Sequence, residues 1–281
     1  MNATTAIRPS SAAAAPLTET VHVILPAGGR IAGGFADAAA VTIKTLIRGS
    51  DGQTLLARII EALRKSGRVE RIAVVGTHDD PGLRAAAARA DTLLPEGDSG
   101  PDNIFRALDW LRAGSDSPLP QRVLIVTTDL PFVTPDAFAD LIDRCSPEAD
   151  ICVPVIERSD FERRFPGSIN EWVRLRDGQW TIGGAFLVRP DALLRSRVQI
   201  DRAFAARKSQ LAMARLLGPI FIARFLTRRL GVADIEARCA RILGCRGQAV
   251  RSAAPELAFD IDTVDDWRYA TAQQSSVTDG G

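Results

Sequence analysis

The sequence has few of the residues from which zinc sites and covalent catalytic sites are built. Its 281 residues include four cysteines and two histidines. No two cysteines form a CxxC pair, so a zinc site is not indicated. No Ser-His-Asp or Cys-His arrangement stands out, which leaves no evident side-chain nucleophile. Scattered cysteines of this kind are typical of a chain in a reducing compartment, and we expect a cytoplasmic protein.

An excess of charge of one sign is also lacking. The formal net charge is +1, so the chain lacks the overall positive charge that is typical of nucleic-acid-binding proteins. The longest apolar segment, residues 211–230, carries four arginines and is broken by Gly218-Pro219, so we do not expect it to span a bilayer. The composition of residues 1–19 and 274–281 predicts disordered tails, which leaves one domain over residues 20–273.

Apolar runs alternate with helical patterns through the first half of the chain. Strands are expected at Val21 to Leu25 and in the later runs RIAVVG, TLLP, RVLIVTTD and ADICVPVI, with helices between them. This order predicts an α/β fold with a mostly parallel, open sheet and helices on both faces. A β-hairpin is expected around Asp177-Gly178, followed by a basic helical insertion at about residues 190–246. Short strands near 247–251 and 257–261 and a helix from Asp265 complete the prediction.

A glycine-rich loop follows the first strand in the stretch VILPAGGRIAGG. Phe35 stands where a Walker loop needs lysine, and the glycine spacing does not fit a dinucleotide fingerprint. Backbone N–H groups of such a loop can cradle phosphates, with Arg30 and Lys44 balancing their charge. The alternative is a structural turn.

Aspartates follow two widely separated apolar runs. Asp129 ends VLIVTTD and precedes its helix too early to cap it, whereas Thr134 fits the cap. Asp260 and Asp262 are expected on one side of the strand 257–261, with Thr263 capping the next helix. Ligands of open parallel sheets bind at the carboxyl ends of the strands, so Asp129 and the glycine loop should meet there. Carboxylate oxygens suit Mg²⁺. For Asp260 and Asp262 a helix-dipole role and solvation remain the alternative.

LPAGG, a lysine before the first long helix, TTDLPF and DIDTVDD occur in the chain in this order. In this order they resemble the nucleotidyltransferases similar to molybdenum cofactor guanylyltransferase, MobA-like NTP transferase domains with a GT-A type sheet. The resemblance covers roughly residues 21–189 and 255–272. It implies transfer of an NMP from an NTP to a phosphorylated or otherwise anionic small-molecule acceptor, with release of pyrophosphate and dependence on Mg²⁺. The family's namesake further implies GTP binding.

The resemblance also assigns roles to individual residues. Catalytic roles are implied for Lys44, Arg30 and Asp129, and metal binding for Asp129, Asp262 and Asp260. The implied substrate-binding residues are Gly183 and Gly184. The implied nucleotide-binding residues are Pro26, Ala27, Gly28, Gly29, Arg30, Lys44, Asp102 and Asn103. Asp102 and Asn103 follow the third strand, where the family reads the nucleobase, and they fit a plain helix cap equally well.

Three alternatives remain open from the sequence. Ile43 replaces the proline that usually precedes the family's lysine, and Ala185 follows the paired glycines where relatives often have asparagine. Both departures allow a nucleotide-binding or regulatory protein that has lost catalysis. Asp260-Ile261-Asp262 is literally a D-x-D motif, which allows a GT-A glycosyltransferase. The basic insertion either presents a solvated face or contacts an anionic acceptor or an anionic membrane surface.

Overall fold

The fold is taken from a computed structural model that describes residues 20–113, 121–206, 209 and 215–278. Strands and helices alternate through the first half of the chain. The elements of that half are β1 (Val21–Pro26), α1 (Gly33–Ala39), α2 (Leu55–Lys65), β2 (Val69–Gly76), α3 (Pro81–Ala86), β3 (Thr92–Pro95), α4 (Gly100–Ala113), β4 (Val123–Val126) and α5 (Pro135–Arg144).

The second half adds an antiparallel region, a group of helices and a C-terminal helix. Its elements are β5 (Ile151–Glu157), α6 (Arg158–Arg164), β6 (Val173–Leu175), β7 (Gly178–Ile182), β8 (Ala185–Val188), α7 (Pro190–Arg195), α8 (Arg197–Ala206), α9 (Pro219–Leu226), α10 (Val232–Leu243), β9 (Gly247–Arg251) and α11 (Val264–Thr278). Single turns of 3-10 helix occupy Lys44–Leu46 and Pro255–Leu257.

The strands form one sheet in the order β3-β2-β1-β4-β8-β5-β7-β6, with β9 paired to β5. Pairing is parallel among β1 to β4, whereas β8 runs antiparallel to both β4 and β5. The predicted α/β fold with an open sheet is therefore confirmed, and its second half is mixed. Sequence alternation cannot distinguish the two directions, because a strand buried on both faces has the same apolar run in either.

Successive side chains of β1 point into two different apolar clusters, as the twofold repeat of a strand requires. Val23 and Leu25 pack with residues of α2 and α5 on one face of the sheet, and Ile24 packs with α4 on the other. The predicted helices on both faces are confirmed. The hairpin at Asp177-Gly178 is confirmed too: β6 and β7 pair there, and Leu230 and Val232 from the predicted helical region pack on it.

Several element boundaries differ from the prediction. α3 begins at Pro81, because Asp80 caps it by accepting from the N–H of Leu83 at 2.8 Å. α1 and α6 were not predicted. α11 continues to Thr278, so residues 274–278 are helical and not a tail. The predicted tail 1–19 lies outside the described residues, as do residues 279–281.

The expected strand at residues 257–261 does not form. A 3-10 turn ends at Leu257, and no strand of the described chain pairs with the residues that follow. Instead the N–H of Ile261 donates to the carbonyl oxygen of Asp129 at 3.1 Å. Phe259 and Ile261 are both buried, so the segment has the alternation of a strand although it lies along a loop.

Candidate active site

Asp129 lies just beyond the end of β4, beside the end of β1. The hydroxyl of Thr128 donates to the carbonyl oxygen of Pro26 at 3.0 Å and so ties the two strand ends together. α5 begins six residues later, and its cap is Thr134, which accepts from the N–H of Ala137 at 3.2 Å. The Asp129 carboxylate is therefore not used as the cap of that helix. Its side chain is 19% exposed.

Asp260 and Asp262 approach Asp129 from the segment that precedes α11. One carboxylate oxygen from each of the three residues lies within 4.8 Å of the others. Asp262 does not cap α11, because Thr263 and Asp266 form a capping box: the N–H of Asp266 donates to the Thr263 hydroxyl and the N–H of Thr263 to the Asp266 carboxylate. The motifs TTDLPF and DIDTVDD are thus brought together, although a 3-10 turn and a loop, rather than a strand, precede the second motif.

The surroundings of Asp260 oppose its ionisation. The pKa of Asp260 is raised to about 6, first because neighbouring protein atoms shield its carboxyl group from water and then because Asp129 and Asp262 are negatively charged. Asp260 is nevertheless an exposed residue, so protein atoms shield its carboxyl group from water only in part. Oδ1 of Asp129 is buried, and no donor in the described chain reaches it. Three clustered carboxylates with an unpaired buried oxygen fit a divalent cation, because hard cations such as Mg²⁺ take oxygen ligands.

Lys44, at the start of the 3-10 turn that follows the glycine loop, contacts two of the three carboxylates. Its ammonium nitrogen Nζ lies 2.7 Å from Oδ2 of Asp129 and 2.5 Å from Oδ1 of Asp262. Burial of the side chain acts to lower the Lys44 pKa, but the two carboxylates outweigh it, and the pKa is raised. Sequence reasoning placed Lys44 on phosphates, whereas the structure places it on the aspartates.

The glycine loop is folded back on itself by backbone bonds. The N–H of Lys44 donates to the carbonyl of Gly29, and the N–H of Ile31 donates to that of Thr42, both at 3.0 Å. The N–H groups of Gly28, Gly29 and Arg30 have no acceptor within the described part of the chain. These free donors can bind an anion, as the sequence predicts. The N–H of Ala27 is paired with Val75, and the carbonyl of Pro26 with Thr128.

The Arg30 side chain is held by hydrogen bonds to residues outside the glycine loop. Its guanidinium donates to the Glu96 carboxylate at 2.6 Å and to the Thr77 hydroxyl at 2.5 Å. Glu96, just after β3, also lies against Gly28, where an added Cβ atom would approach Oε2 of Glu96 to 2.5 Å. Sequence reasoning missed Glu96 and Thr77. Only their positions directly after β3 and β2, at the carboxyl edge of the sheet, signalled them.

Asp102 and Asn103 lie in the first turn of α4, beside the same loop. Asp102 accepts from Arg106 one turn later at 2.9 Å, and this bond lowers the Asp102 pKa. Asn103 is buried, and its side-chain oxygen accepts from the N–H of Gly97 at 2.6 Å. Both side chains therefore stabilise the turn into α4. Their predicted contact with a nucleobase remains a prediction.

Gly183 and Gly184 separate β7 from β8 at the same edge of the sheet. The N–H of Gly184 donates to the carbonyl of Leu257 at 2.6 Å, and the Gly184 carbonyl accepts from the N–H of Thr127 at 2.7 Å. An added Cβ atom at Gly184 would lie 2.2 Å from the Thr127 hydroxyl oxygen, and one at Gly183 would lie 2.8 Å from the Leu257 carbonyl oxygen. The pair thus joins the loops that carry Asp129 and Asp260. Its predicted substrate contact remains a prediction.

A cavity of about 470 Å³ opens beside Asp260 and Asp262, and no residue of the glycine loop is among those that line it. Asp260 and Asp262 form part of its wall, and Glu171, Asp265 and Asp266 add further carboxylates. None of the described residues that line it is a lysine or an arginine. Asp260 and Asp262 therefore face a space with an acidic wall, which the free backbone donors of the glycine loop do not line.

Comparison with known protein families gives a match over most of the chain. A profile of the MobA-like NTP transferase domain matches residues 31–232. The chain belongs to the family of MobA-like NTP transferase domains. The match confirms the family resemblance that the sequence motifs of this MobA-like chain indicate. A search of characterised protein sequences gave no match.

Solved structures agree with this assignment. The MobA-like chain is 30% identical to a hypothetical transferase from Thermus thermophilus, with a TM-score of 0.76 over 88% of this chain and 99% of the other. It is 13% identical to 4-diphosphocytidyl-2C-methyl-D-erythritol synthase from Anaerococcus prevotii (TM-score 0.56, 92% and 97% covered). It is 15% identical to a CMP:2-keto-3-deoxy-manno-octonic acid synthetase complexed with CTP (TM-score 0.52, 92% and 99% covered). The last two show the fold alone.

The helices of the second half raise the question of membrane insertion. In the part of the chain for which the structure gives coordinates, none of the helices combines the length and the hydrophobicity that crossing a bilayer requires. α9 nevertheless exposes Ile220 and Leu226, which are 78% and 74% exposed.

Proposed function

We propose that this protein is a Mg²⁺-dependent nucleotidyltransferase. It transfers an NMP from an NTP, with GTP as the predicted nucleotide, to a phosphorylated or otherwise anionic small-molecule acceptor. A phosphate oxygen of the acceptor attacks the α-phosphorus, the bond to the β-phosphate breaks, and pyrophosphate leaves. The observation that carries the proposal is the placement of the unpaired N–H groups of Gly28, Gly29 and Arg30 beside the carboxylates of Asp129, Asp260 and Asp262.

The residues of the proposed site have different roles, which follow from their charges. The loop N–H groups bind triphosphate oxygens, as fixed donors that need no rearrangement during the reaction. Asp129, Asp260 and Asp262 would hold Mg²⁺, which when bound supplies positive charge against the α-phosphate and the leaving pyrophosphate. Lys44 balances the remaining phosphate charge. Such chemistry depends on positioning and charge neutralisation rather than on a side-chain nucleophile.

The cavity beside the trio is the proposed acceptor site. Its wall is acidic and, among the residues described, offers no cationic side chain. An anionic acceptor is therefore repelled unless a cation neutralises Asp260 and Asp262. This requirement makes acceptor binding, and not only the chemical step, dependent on Mg²⁺.

Pyrophosphate release tests the proposal directly. The four NTPs would each be incubated with Mg²⁺ and a panel of sugar, nucleoside and alcohol phosphates, with Asp129→Asn as the control. We expect release that needs both Mg²⁺ and an acceptor and that falls at least about a hundredfold in the variant. NTP binding without release from any acceptor favours the binding protein. Turnover of nucleotide sugars instead favours the glycosyltransferase.

A contact of the basic helices with an anionic membrane surface is also proposed. It is supported by the exposed Ile220 and Leu226 on α9, close in sequence to Arg224, Arg228 and Arg229. Exposed apolar side chains beside arginines suit the boundary of an anionic bilayer. Flotation with neutral and anionic vesicles at low salt tests it, and equal recovery from both removes it. The free thiols of all four cysteines support the predicted cytoplasmic location.

A further inference from the structure

The ammonium group of Lys44 contacts two of the three carboxylates of the trio. Nζ lies 2.7 Å from Oδ2 of Asp129 and 2.5 Å from Oδ1 of Asp262. A Mg²⁺ ion takes its ligands at about 2.0–2.1 Å with near-octahedral geometry. A divalent ion on these two oxygens would therefore meet the ammonium group at contact distance, where two positive charges repel strongly.

Lys44 is placed to exchange between two partners. Its backbone N–H is bonded to the Gly29 carbonyl, and its Cβ and Cδ atoms lie 3.6 and 3.8 Å from the point where a Cβ of Gly29 would be. The stem of the side chain thus runs along the glycine loop, and only its tip reaches the aspartates. Rotation about the outer side-chain bonds would turn the ammonium group from the aspartates toward the phosphates that the proposed function places at the loop.

We propose that Lys44 is the counter-ion of the metal-free site, and that a divalent cation and the Lys44 ammonium group compete for Asp129 and Asp262. Cation binding releases the ammonium group, which then faces the glycine loop. This inference rests on the metal site of the proposed function and adds an order of events. Because Lys44 is held by the two carboxylates, it becomes available to phosphates only when a cation has displaced it.

One other arrangement uses the same residues. A cation could take the unpaired Oδ1 of Asp129 together with Asp260 and leave Lys44 on Oδ2 of Asp129 and on Asp262. In that arrangement Lys44 and the cation bind together, and the lysine does not move. The two arrangements predict opposite behaviour of the Lys44 amine when a cation is added.

Amine labelling measures that behaviour in the unmodified protein. The sequence has only three lysines, Lys44, Lys65 and Lys208, so mass spectrometry can resolve each one. Lys44 is 16% exposed and ion-paired, whereas Lys65 is 64% exposed and serves as internal control. We expect acetylation of Lys44 to rise several-fold with saturating Mg²⁺ at constant pH and ionic strength, while Lys65 is unchanged. Unchanged or reduced labelling of Lys44 overturns the proposal.

Metal affinity gives a second readout that does not need activity. Without nucleotide, Lys44→Met should bind Mn²⁺ roughly tenfold more tightly than the unmodified chain in calorimetry, because the competing charge is gone. Lys65→Met is the matched control and should show no change. Weaker or equal binding by Lys44→Met contradicts the exchange. If Mn²⁺ binds and Lys44 labelling does not change, the exchange fails and the proposed function stands; if Mn²⁺ does not bind at all, both lose their basis.

Discussion

The backbone N–H of Ile261 donates a hydrogen bond to the carbonyl oxygen of Asp129 at 3.1 Å. This bond, together with the bonds from Gly184 to Leu257 and from Thr127 to Gly184, holds the segment before α11 against the loop after β4. Asp260 and Asp262 flank Ile261, whose side chain is buried, and both carboxylates thereby reach the vicinity of Asp129. The trio therefore depends on main-chain pairing, so side-chain substitutions within it should change charge and metal binding without unfolding the protein.

We expect Asp129→Asn and Asp262→Asn each to remove most of the Mg²⁺-dependent stabilisation by NTP. The loss in Mg·NTP affinity should be at least about tenfold, or ~1.4 kcal/mol. The double variant should be scarcely worse than either single one, because both changes dismantle one cation site. Calorimetric titration of NTP with and without Mg²⁺ measures the loss. Asp265→Asn, in the same cavity but outside the trio, is the control and should behave as the unmodified chain.

Asp260→Asn should stabilise the metal-free protein near pH 7.5. The raised pKa of Asp260 means that its ionised form is disfavoured in the folded state, so this group's contribution to stability falls as pH rises from its ordinary pKa of 3.8 through about 6. After allowance for solvent screening we expect a gain of ~1 kcal/mol, or about 2–4 °C in melting temperature. Thermal unfolding in EDTA measures it. A lower melting temperature would show that Asp260 contributes a hydrogen bond the fold needs.

Gly183→Ala should lower stability by roughly 1–3 kcal/mol. The new Cβ atom would lie 2.8 Å from the Leu257 carbonyl oxygen, a backbone atom that cannot turn aside. Gly247→Ala is the matched control, because no atom lies within 4 Å of its Cβ position. Urea unfolding of both variants compares them. An unstrained Gly183→Ala variant that still loses acceptor binding would favour the predicted substrate contact.

His22 should make the protein less stable in mild acid. Burial lowers its pKa, and the positive charge of Arg71 adds to this effect against the opposing influence of Glu70. The folded state thus binds the His22 proton less readily than the unfolded chain does, so stability falls as pH drops below about 6.5, by up to ~1.4 kcal/mol per pH unit.

Urea unfolding between pH 7.5 and 5.5 measures the slope for His22→Val and for the control His78→Gln. His78 is about half exposed, with its side chain 49% accessible. Only the His22 variant should show a shallower slope than the unmodified chain. Equal slopes in all three proteins would assign the acid sensitivity to carboxylates instead.

The convergence of the glycine loop with Asp129 could be predicted, because parallel strands place their carboxyl ends at one edge whatever the details of packing. Two other features could not. Phe259 and Ile261 alternate with Asp260 and Asp262 in the same way whether the segment pairs in a sheet or lies along a loop. The pairing of Arg30 with Glu96 joins residues 66 positions apart through a long, flexible side chain, which no local pattern indicates.

The position of Lys44 shows a further limit. Its charge and place after the glycines suit phosphate binding, and nothing in the sequence tells that the same side chain can reach two carboxylates. The choice between those partners depends on distances of a few ångströms set by the fold of the loop around Gly29. Such distances arise only when β1, β4 and the segment before α11 are packed together.

The bond between Lys44 and Asp262 spans 218 positions of the chain. During synthesis from the amino end, the lysine and then Asp129 are made long before the last two carboxylates. A nascent chain that ends before Asp260 can therefore form β1 to β4 and bury most of their apolar side chains, yet it has only one carboxylate of the three. The capacity to hold a cation should thus appear late and abruptly as the chain is completed, which makes cation binding a sensitive assay for full-length protein.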